Sequence, residues 1–198
     1  MTIADLTAKI KSGEVDTVVV AMTDMQGRLT GKRIHGSFFL DEVLKHGTEG
    51  CNYLLAVDVD MNTVDGYEMS SWERGYSDFA LVPDMDTLRM IDWQEGAALV
   101  LADVQWLDHT DVVASPRQIL RKQVKALKDA GMEAMCGTEL EFVVYKDTYE
   151  EAWNKGYKNL IPVNQYNVDY SIMGGSRIEP LLRRIRLAMA KAGMTVES

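Results

Sequence analysis

Apolar and polar positions along the first hundred residues follow helical and strand periods in turn. Helical spacing over 3–11 precedes a β-branched run over 15–23, which predicts a strand. A turn at 24–27 and the alternation over 28–35 predict a hairpin, and helical spacing returns over 38–46. The remaining apolar runs of this part predict four further strands, at 53–57, 79–82, 88–91 and 97–104.

Strands wrapped around one helix are typical of a small α+β domain. Element spacing alone leaves two folds open for it, β-grasp-like and ferredoxin-like. We expect this domain over 1–105 and a second one over 106–198. Ser115 and Pro116 are placed to begin a helix as N-cap and first helical residue, and Gln118 is placed to complete a capping box.

The second domain is predicted to contain a strand over 133–145, a helix over 180–192 and the first residues of another strand over 194–197. Because the sequence ends within that last strand, we expect this domain to be the opening part of a larger one.

The stretch from 58 to 78 is polar and punctuated by glycines, yet it carries Tyr67, Trp72 and Tyr76. It predicts a long irregular loop. Two interpretations stay open: a surface loop whose aromatic residues hold it on its own domain, or a functional loop.

Composition and charge narrow the functional classes. Of the 198 residues, 46% are hydrophobic and 26% are charged, as in folded proteins. The net charge of −9 opposes binding to nucleic acid or anionic lipid. The N-terminus lacks the pattern of a signal peptide, and no apolar run approaches the ~20 residues that cross a bilayer. We therefore predict a cytoplasmic protein without membrane or nucleic-acid partners.

Glu139 and Glu141 form the sharpest chemical signal. In a strand, residues two apart point to the same face, and their side chains are separated by roughly 6.6–7 Å. Two such carboxylates repel each other unless a positive charge lies beside them, and Mg²⁺ or Mn²⁺ prefers oxygen ligands. The pair by itself leaves open a metal site and a solvated face of an edge strand.

Several short motifs occur along the chain in an order that resembles the glutamine synthetase family, in the branch that includes γ-glutamyl-amine ligases. The resemblance covers essentially the whole chain. Its motifs are Thr23-Asp24, Gly27, Gly31-Lys32, Tyr76-Ser77-Asp78-Phe79, Val82-Pro83-Asp84, Leu88-Arg89, Trp93, Ser115-Pro116-Arg117, GTELEF at 137–142 and GMTVES at 193–198.

The resemblance implies a fold and a reaction. It implies an N-terminal β-grasp domain, followed by the beginning of a catalytic α/β domain, and assembly into a homo-oligomer, a dodecamer, with each active site between two subunits. The implied reaction uses ATP to convert the γ-carboxylate of glutamate into an acyl phosphate. Ammonia or a small primary amine then attacks that intermediate and forms a γ-glutamyl amide.

The resemblance also implies roles for individual residues. Glu139 and Glu141 match the glutamates that hold the divalent ions, Mg²⁺ or Mn²⁺, which neutralise the triphosphate. Glu197 matches a glutamate at the nucleotide site. Tyr170 lies where the family has a tyrosine near the glutamate pocket.

The loop around Asp65 resembles the segment that reaches a neighbouring subunit's site and positions the ammonium. In the family this aspartate is followed directly by Gly-Ser-Ser, whereas here Tyr67-Glu68-Met69 separate Gly66 from the two serines. Asp58, Asp60 or Asp65 is therefore the equivalent residue. The departure opens the site to a small primary amine in place of ammonia alone.

The family's other metal ligands and phosphate-binding arginines would follow Ser198. We accordingly expect a truncated chain that is nearly inactive by itself. The alternative is a catalytically inactive β-grasp interaction module or ring subunit.

Overall fold

The computed structural model describes residues 1–73 and 75–197. Its contacts divide the chain into two compact units. The N-terminal unit comprises Met1–Ala134 and Lys191–Gly193, and the C-terminal unit comprises Met135–Ala190 and Met194–Ser198. The domain boundary expected from the sequence stays a prediction.

The N-terminal unit mixes helices and strands, in agreement with the predicted α+β class. In chain order its elements are α1 (Ile3–Ser12), β1 (Thr17–Thr23), β2 (Leu29–His35), α2 (Gly36–Phe38), a π-helical turn (Phe39–Val43), α3 (Leu44–His46), β3 (Thr48–Cys51), a 3-10 turn (Asn52–Leu55), β4 (Asp78–Met90), β5 (Ala97–Gln105) and α4 (Pro116–Asp129).

Five strands form one sheet in the order β2-β1-β5-β4-β3. The predicted hairpin is confirmed as the antiparallel pair β1–β2, and its turn contains Gly27 with a φ of 82°. β1 and β5 lie parallel, with Thr17 opposite Ala97, and β4 pairs antiparallel with β5 and β3. This sheet supplies the frame on which the loop after the 3-10 turn is held.

A single apolar core underlies the sheet. The β-branched run of β1 alternates between the core and its other face, so Val18 and Val20 are fully buried. Phe39 of the π-helical turn and Phe79 of β4 are also fully buried in this cluster. Trp106 packs on Phe79 with ring centroids 5.2 Å apart.

One strand prediction for this unit is wrong, and two others turn out to describe a single strand. The run at 53–57 does not form a strand, because Ala56 N–H donates to the Tyr53 carbonyl (2.6 Å) and closes a helical turn that buries Leu55. Short apolar runs fit either structure. The strands predicted at 79–82 and 88–91 are both parts of β4, which continues through an irregularity in its pairing.

α4 begins at the predicted place, with Ser115 as N-cap and Pro116 as first helical residue, but the predicted side-chain capping is absent. Ser115 is buried and makes no side-chain cap hydrogen bond. The helix is attached to the sheet by charge instead. Arg117 contacts Asp84 of β4 (2.5 Å) and Asp103 of β5 (3.1 Å), and Arg121 contacts Asp103 (2.6 Å) and Asp84 (3.4 Å).

The described residues of the C-terminal unit form two short helices, one longer helix and few backbone pairings. Its helices are α5 (Tyr149–Asn154), α6 (Ile172–Ser176) and α7 (Glu179–Lys191). The helix predicted over 180–192 is confirmed as α7.

The strands predicted over 133–145 and 194–197 are not formed in this structure. Within the described residues, the first of these segments is paired only through a bridge between Tyr145 and Pro162. A strand needs a neighbour to exchange backbone hydrogen bonds. No described segment exchanges backbone hydrogen bonds with 133–143. The alternation in the sequence therefore gives an extended segment without a ladder.

No helix within 1–73 and 75–197 is long and apolar enough to span a membrane. α4, with 14 residues, is well short of the ~20 residues that a span requires.

Candidate functional site

Glu139 and Glu141 lie on the extended segment that begins the C-terminal unit. Both side chains are exposed, and neither carboxylate forms a hydrogen bond or an ion pair with a described residue. Among the described residues, no group of three or more His, Cys, Asp or Glu side chains is placed to hold a metal ion. The structure therefore presents the two predicted ligands on one segment without a third protein ligand.

Glu141 borders an open cavity of about 550 Å³ within the C-terminal unit. Apolar side chains make about half of its walls, and Asn164, Tyr166, Asn167 and Asp169 contribute polar groups beside Glu141. A cavity that combines apolar walls with a few polar groups is the usual form of a small-molecule site. Its remaining lining residues are Phe142, Val143, Val144, Pro162, Val163, Val168 and Ile178.

Two walls of this cavity are held together by backbone and side-chain hydrogen bonds. Val163 N–H donates to the Val144 carbonyl (2.9 Å). The Asp147 carboxylate then accepts hydrogen bonds from Lys155 Nζ (2.5 Å) and from the Ile161 N–H (2.6 Å). These two donors hold the pKa of Asp147 below its usual range. Ionised Asp147 thus keeps the segment that carries Glu141 against its opposite wall.

Asn164 connects the cavity wall to α6. Its Nδ2 donates to the Gly174 carbonyl (3.3 Å), whereas its Oδ1 is buried without a hydrogen-bond partner among the described residues. Gly174 is required here, because a Cβ would lie 2.7 Å from the Val168 side chain. Ser171 caps α6 by accepting from the Gly174 N–H.

The other residues predicted for this unit lie outside the cavity lining. Tyr170 directly follows Asp169, has a φ of 55° and is 98% exposed. Glu197 is exposed in the irregular segment that ends the described chain. Ser198, the last residue of its motif, lies outside the described residues.

The three aspartates considered for the ammonium role differ in their surroundings. Asp58 Oδ1 accepts from the N–H groups of Asp60 and Asn62, and Asp58 Oδ2 accepts from Asn62 Nδ2. The bonds from Asn62 lower the pKa of Asp58. Asp58 is therefore a turn-forming residue. Asp60 and Asp65 are exposed, and their carboxylates have no partner within the described part of the chain.

The aromatic residues of the loop hold part of it on its own unit. The Tyr76 ring packs against Tyr53 and against Trp72, with centroids 6.0 and 5.3 Å apart. Trp72 is nevertheless 77% exposed. Both interpretations of the loop thus retain an observation in their favour.

Sequence reasoning missed the role of Asp24 and Arg28. Asp24 is buried in the hairpin turn, and Arg28 extends from it to the loop carbonyls of Asp58 and Val59. The motif at 23–27 includes Asp24, but only the fold shows which segment lies opposite the turn.

Comparisons with known proteins agree with this fold. Residues 113–198 match the family described as glutamine synthetase, catalytic domain. Over 196 residues, 99% of this chain, the sequence is 62% identical to the gamma-glutamylethanolamide synthetase GlnA4 of Streptomyces coelicolor. Over 189 residues, 96% of the chain, it is 31% identical to the glutamate–isopropylamine ligase of a Pseudomonas species.

A solved structure of GmaS without ligand is similar to 99% of this chain, with a TM-score of 0.66 and 15% sequence identity. At that identity the likeness concerns the fold alone. The chain spans 42% of the Streptomyces protein, 41% of the Pseudomonas protein and 42% of the GmaS chain.

The fold and the site define a mixed α+β protein with an exposed glutamate pair beside an open cavity. The chain belongs to the glutamine synthetase family, and it corresponds to the N-terminal portion of these relatives. The family resemblance predicted from the order of motifs is confirmed.

Proposed function

We propose that this chain contributes the N-terminal portion of an ATP-dependent carboxylate–amine ligase that forms γ-glutamyl amides. The observation that carries the proposal is the 62% identity, over 99% of the chain, to a protein named as a gamma-glutamylethanolamide synthetase. The Pseudomonas relative is named a glutamate–isopropylamine ligase, which supports the same type of reaction with another amine.

The proposed N-terminal domain is of the β-grasp type and covers 1–105, with the catalytic domain beginning at 106. A hairpin, a following helical stretch and the parallel pairing of β1 with β5 support the β-grasp assignment. These features favour it over the ferredoxin-like alternative.

Glu139 and Glu141 are proposed to hold Mg²⁺ or Mn²⁺. Both carboxylates are exposed and unoccupied by protein cations within the described residues, so their oxygens are available. One or two carboxylates fit Mg²⁺, which keeps several waters and takes its other ligands from substrate phosphates. Bound divalent ions would neutralise the ATP phosphates during phosphoryl transfer.

The proposed reaction has two steps. An oxygen of the glutamate γ-carboxylate attacks the γ-phosphorus of ATP, the bond to the β-phosphate oxygen breaks, and ADP leaves. The amine nitrogen then attacks the acyl carbon, inorganic phosphate leaves, and the nitrogen loses a proton. We assign Glu197 to ATP binding and Tyr170 to glutamate binding, in accord with their positions in the family motifs.

Asp65 is the proposed contact for the ammonium form of the amine. Its carboxylate is exposed, in contrast to that of Asp58, which is committed to its own turn. We propose that it serves the site of a neighbouring copy in a homo-oligomer, a dodecamer, and that a small primary amine such as ethanolamine is accepted.

The non-catalytic module remains a second candidate, because the N-terminal unit has its own apolar core and a continuous sheet. We expect the 198 residues alone to be nearly inactive, because they span only 42% of the length of the Streptomyces relative.

A hybrid protein tests the proposal. The matching N-terminal region of the Streptomyces relative is replaced by this chain, and γ-glutamyl amide and ADP are measured with glutamate, ATP, Mg²⁺ and ethanolamine. We expect ATP-dependent product from the hybrid and almost none from the 198-residue chain. A folded hybrid without product, beside an active unaltered relative, would favour the non-catalytic module.

Oxygen tracing tests the acyl-phosphate step in the same hybrid. With ¹⁸O in the γ-carboxylate of glutamate, one labelled oxygen should appear in the released inorganic phosphate. Unlabelled phosphate would exclude the acyl phosphate while leaving the ligase assignment intact.

A further inference from the structure

The turn between β1 and β2 contains a buried carboxylate. The Asp24 side chain is fully buried. Its Oδ1 accepts from the Gln26 and Arg28 N–H groups (both 2.9 Å), and its Oδ2 accepts from Arg28 Nε (2.7 Å). Burial alone would raise the pKa of Asp24, but these hydrogen bonds and the Arg28 charge hold it below the usual range. The ion pair fixes the direction of the Arg28 guanidinium.

The turn holds three consecutive carbonyls of the loop. Gln26 Nε2 donates to the Val57 carbonyl (2.9 Å), and Arg28 donates to the carbonyls of Asp58 (3.1 Å) and Val59 (2.6 Å). A guanidinium has several N–H donors in a fixed plane, so one side chain bonds both the aspartate and the loop. We call the Asp24–Arg28 pair with these contacts the turn clamp.

The clamped backbone leads directly to Asp65. The loop folds back on itself, because Asp58 N–H donates to the Asn62 carbonyl (2.9 Å). Val64 N–H then donates to the Ala56 carbonyl (3.0 Å), one residue before Asp65. The clamp therefore acts on the base of the segment that presents Asp60 and Asp65.

The negative charge of the loop accounts for an arginine at position 28. The sequence contains no lysine or arginine between Lys45 and Arg74, whereas the loop carries Asp58, Asp60 and Asp65. Arg28 brings a cation to this acidic stretch from the turn between β1 and β2. Its charge contributes to the lowered pKa of Asp58.

We propose that Asp24 and Arg28 are positioning residues, which fix the loop so that the exposed carboxylate of Asp65 is presented to the amine. The part of this inference that concerns the amine rests on the proposed function. A purely structural pair would stabilise the hairpin without a selective effect on one substrate.

Amide hydrogen exchange on the 198-residue chain tests the clamp itself. Arg28→Lys retains a charge for Asp24 but lacks the planar fork. We expect the amides of Asp58, Asn62 and Val64 to exchange at least ~10-fold faster, with those of β1 and β5 unchanged. Arg33→Lys is the matched control, since Arg33 is exposed on the same hairpin and touches only Gln94 at 3.5 Å among the described residues. Unchanged exchange in the loop, or equal changes in both variants, would overturn the clamp.

Kinetics of the hybrid test the positioning role. Arg28→Lys should raise KM for the amine about tenfold and leave KM for ATP unchanged, because only the amine meets the loop. Asp24→Asn, of the same shape, should move the same constant in the same direction. Equal changes in both KM values, or none, would overturn the role. An inactive unsubstituted hybrid would instead overturn the proposed function and the amine part with it, while the exchange result would still decide the clamp.

Discussion

The two units of the chain contrast in what their apolar residues do. In the N-terminal unit, residues at strand and helix spacing meet one another in a core, and Phe79 is fully buried. In the C-terminal unit, similar residues stay exposed: Leu140 is 85% exposed and Phe142 is 51% exposed. Among its described residues only Ala152 and Gly174 are buried. The spacing of apolar residues therefore indicates which face of a segment has to be buried. Only the fold determines whether other residues bury it.

Hydrogen exchange should give the largest difference between the units. The amides of Val18 and Val20 are buried within the sheet, whereas those of 137–143 have no acceptor among the described residues. We expect the strand amides to exchange about 10³-fold more slowly or better, since they require global opening. Mass spectrometry of exchanged peptides measures this. If the amides of 137–143 were as protected as those of Val18 and Val20, the contrast between the two units would be wrong. A ladder of backbone hydrogen bonds would then have to form at 137–143.

Truncation of one phenylalanine in each unit should give the next largest difference. Phe79→Ala removes a buried ring and should cost about 3–5 kcal/mol of unfolding free energy. Phe142→Ala, the matched control, should cost about 0.5 kcal/mol or less because half of its surface is already in water. Urea unfolding measures both costs, with Trp106 beside Phe79 and Trp153 in the C-terminal unit as fluorescent reporters. Similar costs would show that Phe142 has a packing partner in solution.

Arginine substitutions compare the two long helices. Arg117→Ala removes the contacts of α4 with Asp84 and Asp103, which are half-buried, and should destabilise the N-terminal unit by about 1–3 kcal/mol. Arg183→Ala on α7 should change stability by at most ~0.5 kcal/mol, since Arg183 is exposed and has no partner among the described residues. Thermal unfolding of both variants checks this order. A neutral Arg117→Ala would mean that α4 does not depend on its charge contacts.

Acid should produce the smallest of these effects. The pKa of Asp24 is lower in the folded chain than its ordinary value of about 3.9. The ionised form therefore contributes stability that is complete above about pH 5 and is lost as the pH falls through the folded pKa. Asp24→Asn should be less stable at pH 6 and should lose less of its stability between pH 6 and 3.

Urea midpoints across that pH range measure the effect of Asp24. Asp65→Asn is the control, because Asp65 is exposed and unpaired among the described residues, and it should leave the pH dependence unchanged. An acid response in Asp24→Asn identical to that of the unsubstituted chain would contradict the ionised buried carboxylate.

The sequence predicted most of what local rules determine. The spacing over 3–11 and the β-branched run over 15–23 correspond to α1 and β1, and the helix over 180–192 corresponds to α7. Local rules could not determine the structure of the run at 53–57, because a short apolar stretch is compatible with a strand and with a tight turn. The missed partners of Arg28 and Arg117 lie about 30 residues away or on other elements, and periodicity carries no information about such contacts.

The candidate site was predicted through residue identity more than through geometry. Glu139 and Glu141 are exposed and their metal role stays a prediction, whereas the strand expected to carry them is absent because no described segment pairs with it. The cavity beside Glu141, with Asn164 and Asp169 on its walls, depends on contacts between 144–147 and 161–163. No motif in the sequence indicates those contacts.

Substitution of the glutamate pair in the hybrid tests the central claim most directly, namely that Glu139 and Glu141 hold the divalent ions of a ligase. Mn²⁺-dependent ATP turnover is measured for Glu139→Gln, Glu141→Gln and the double variant, with Glu133→Gln as an exposed control from the irregular segment before the pair. We predict that the pair's variants lose at least ~100-fold in turnover and require more Mn²⁺, whereas the control retains full activity. Undiminished Mn²⁺-dependent turnover in the double variant would contradict the metal assignment.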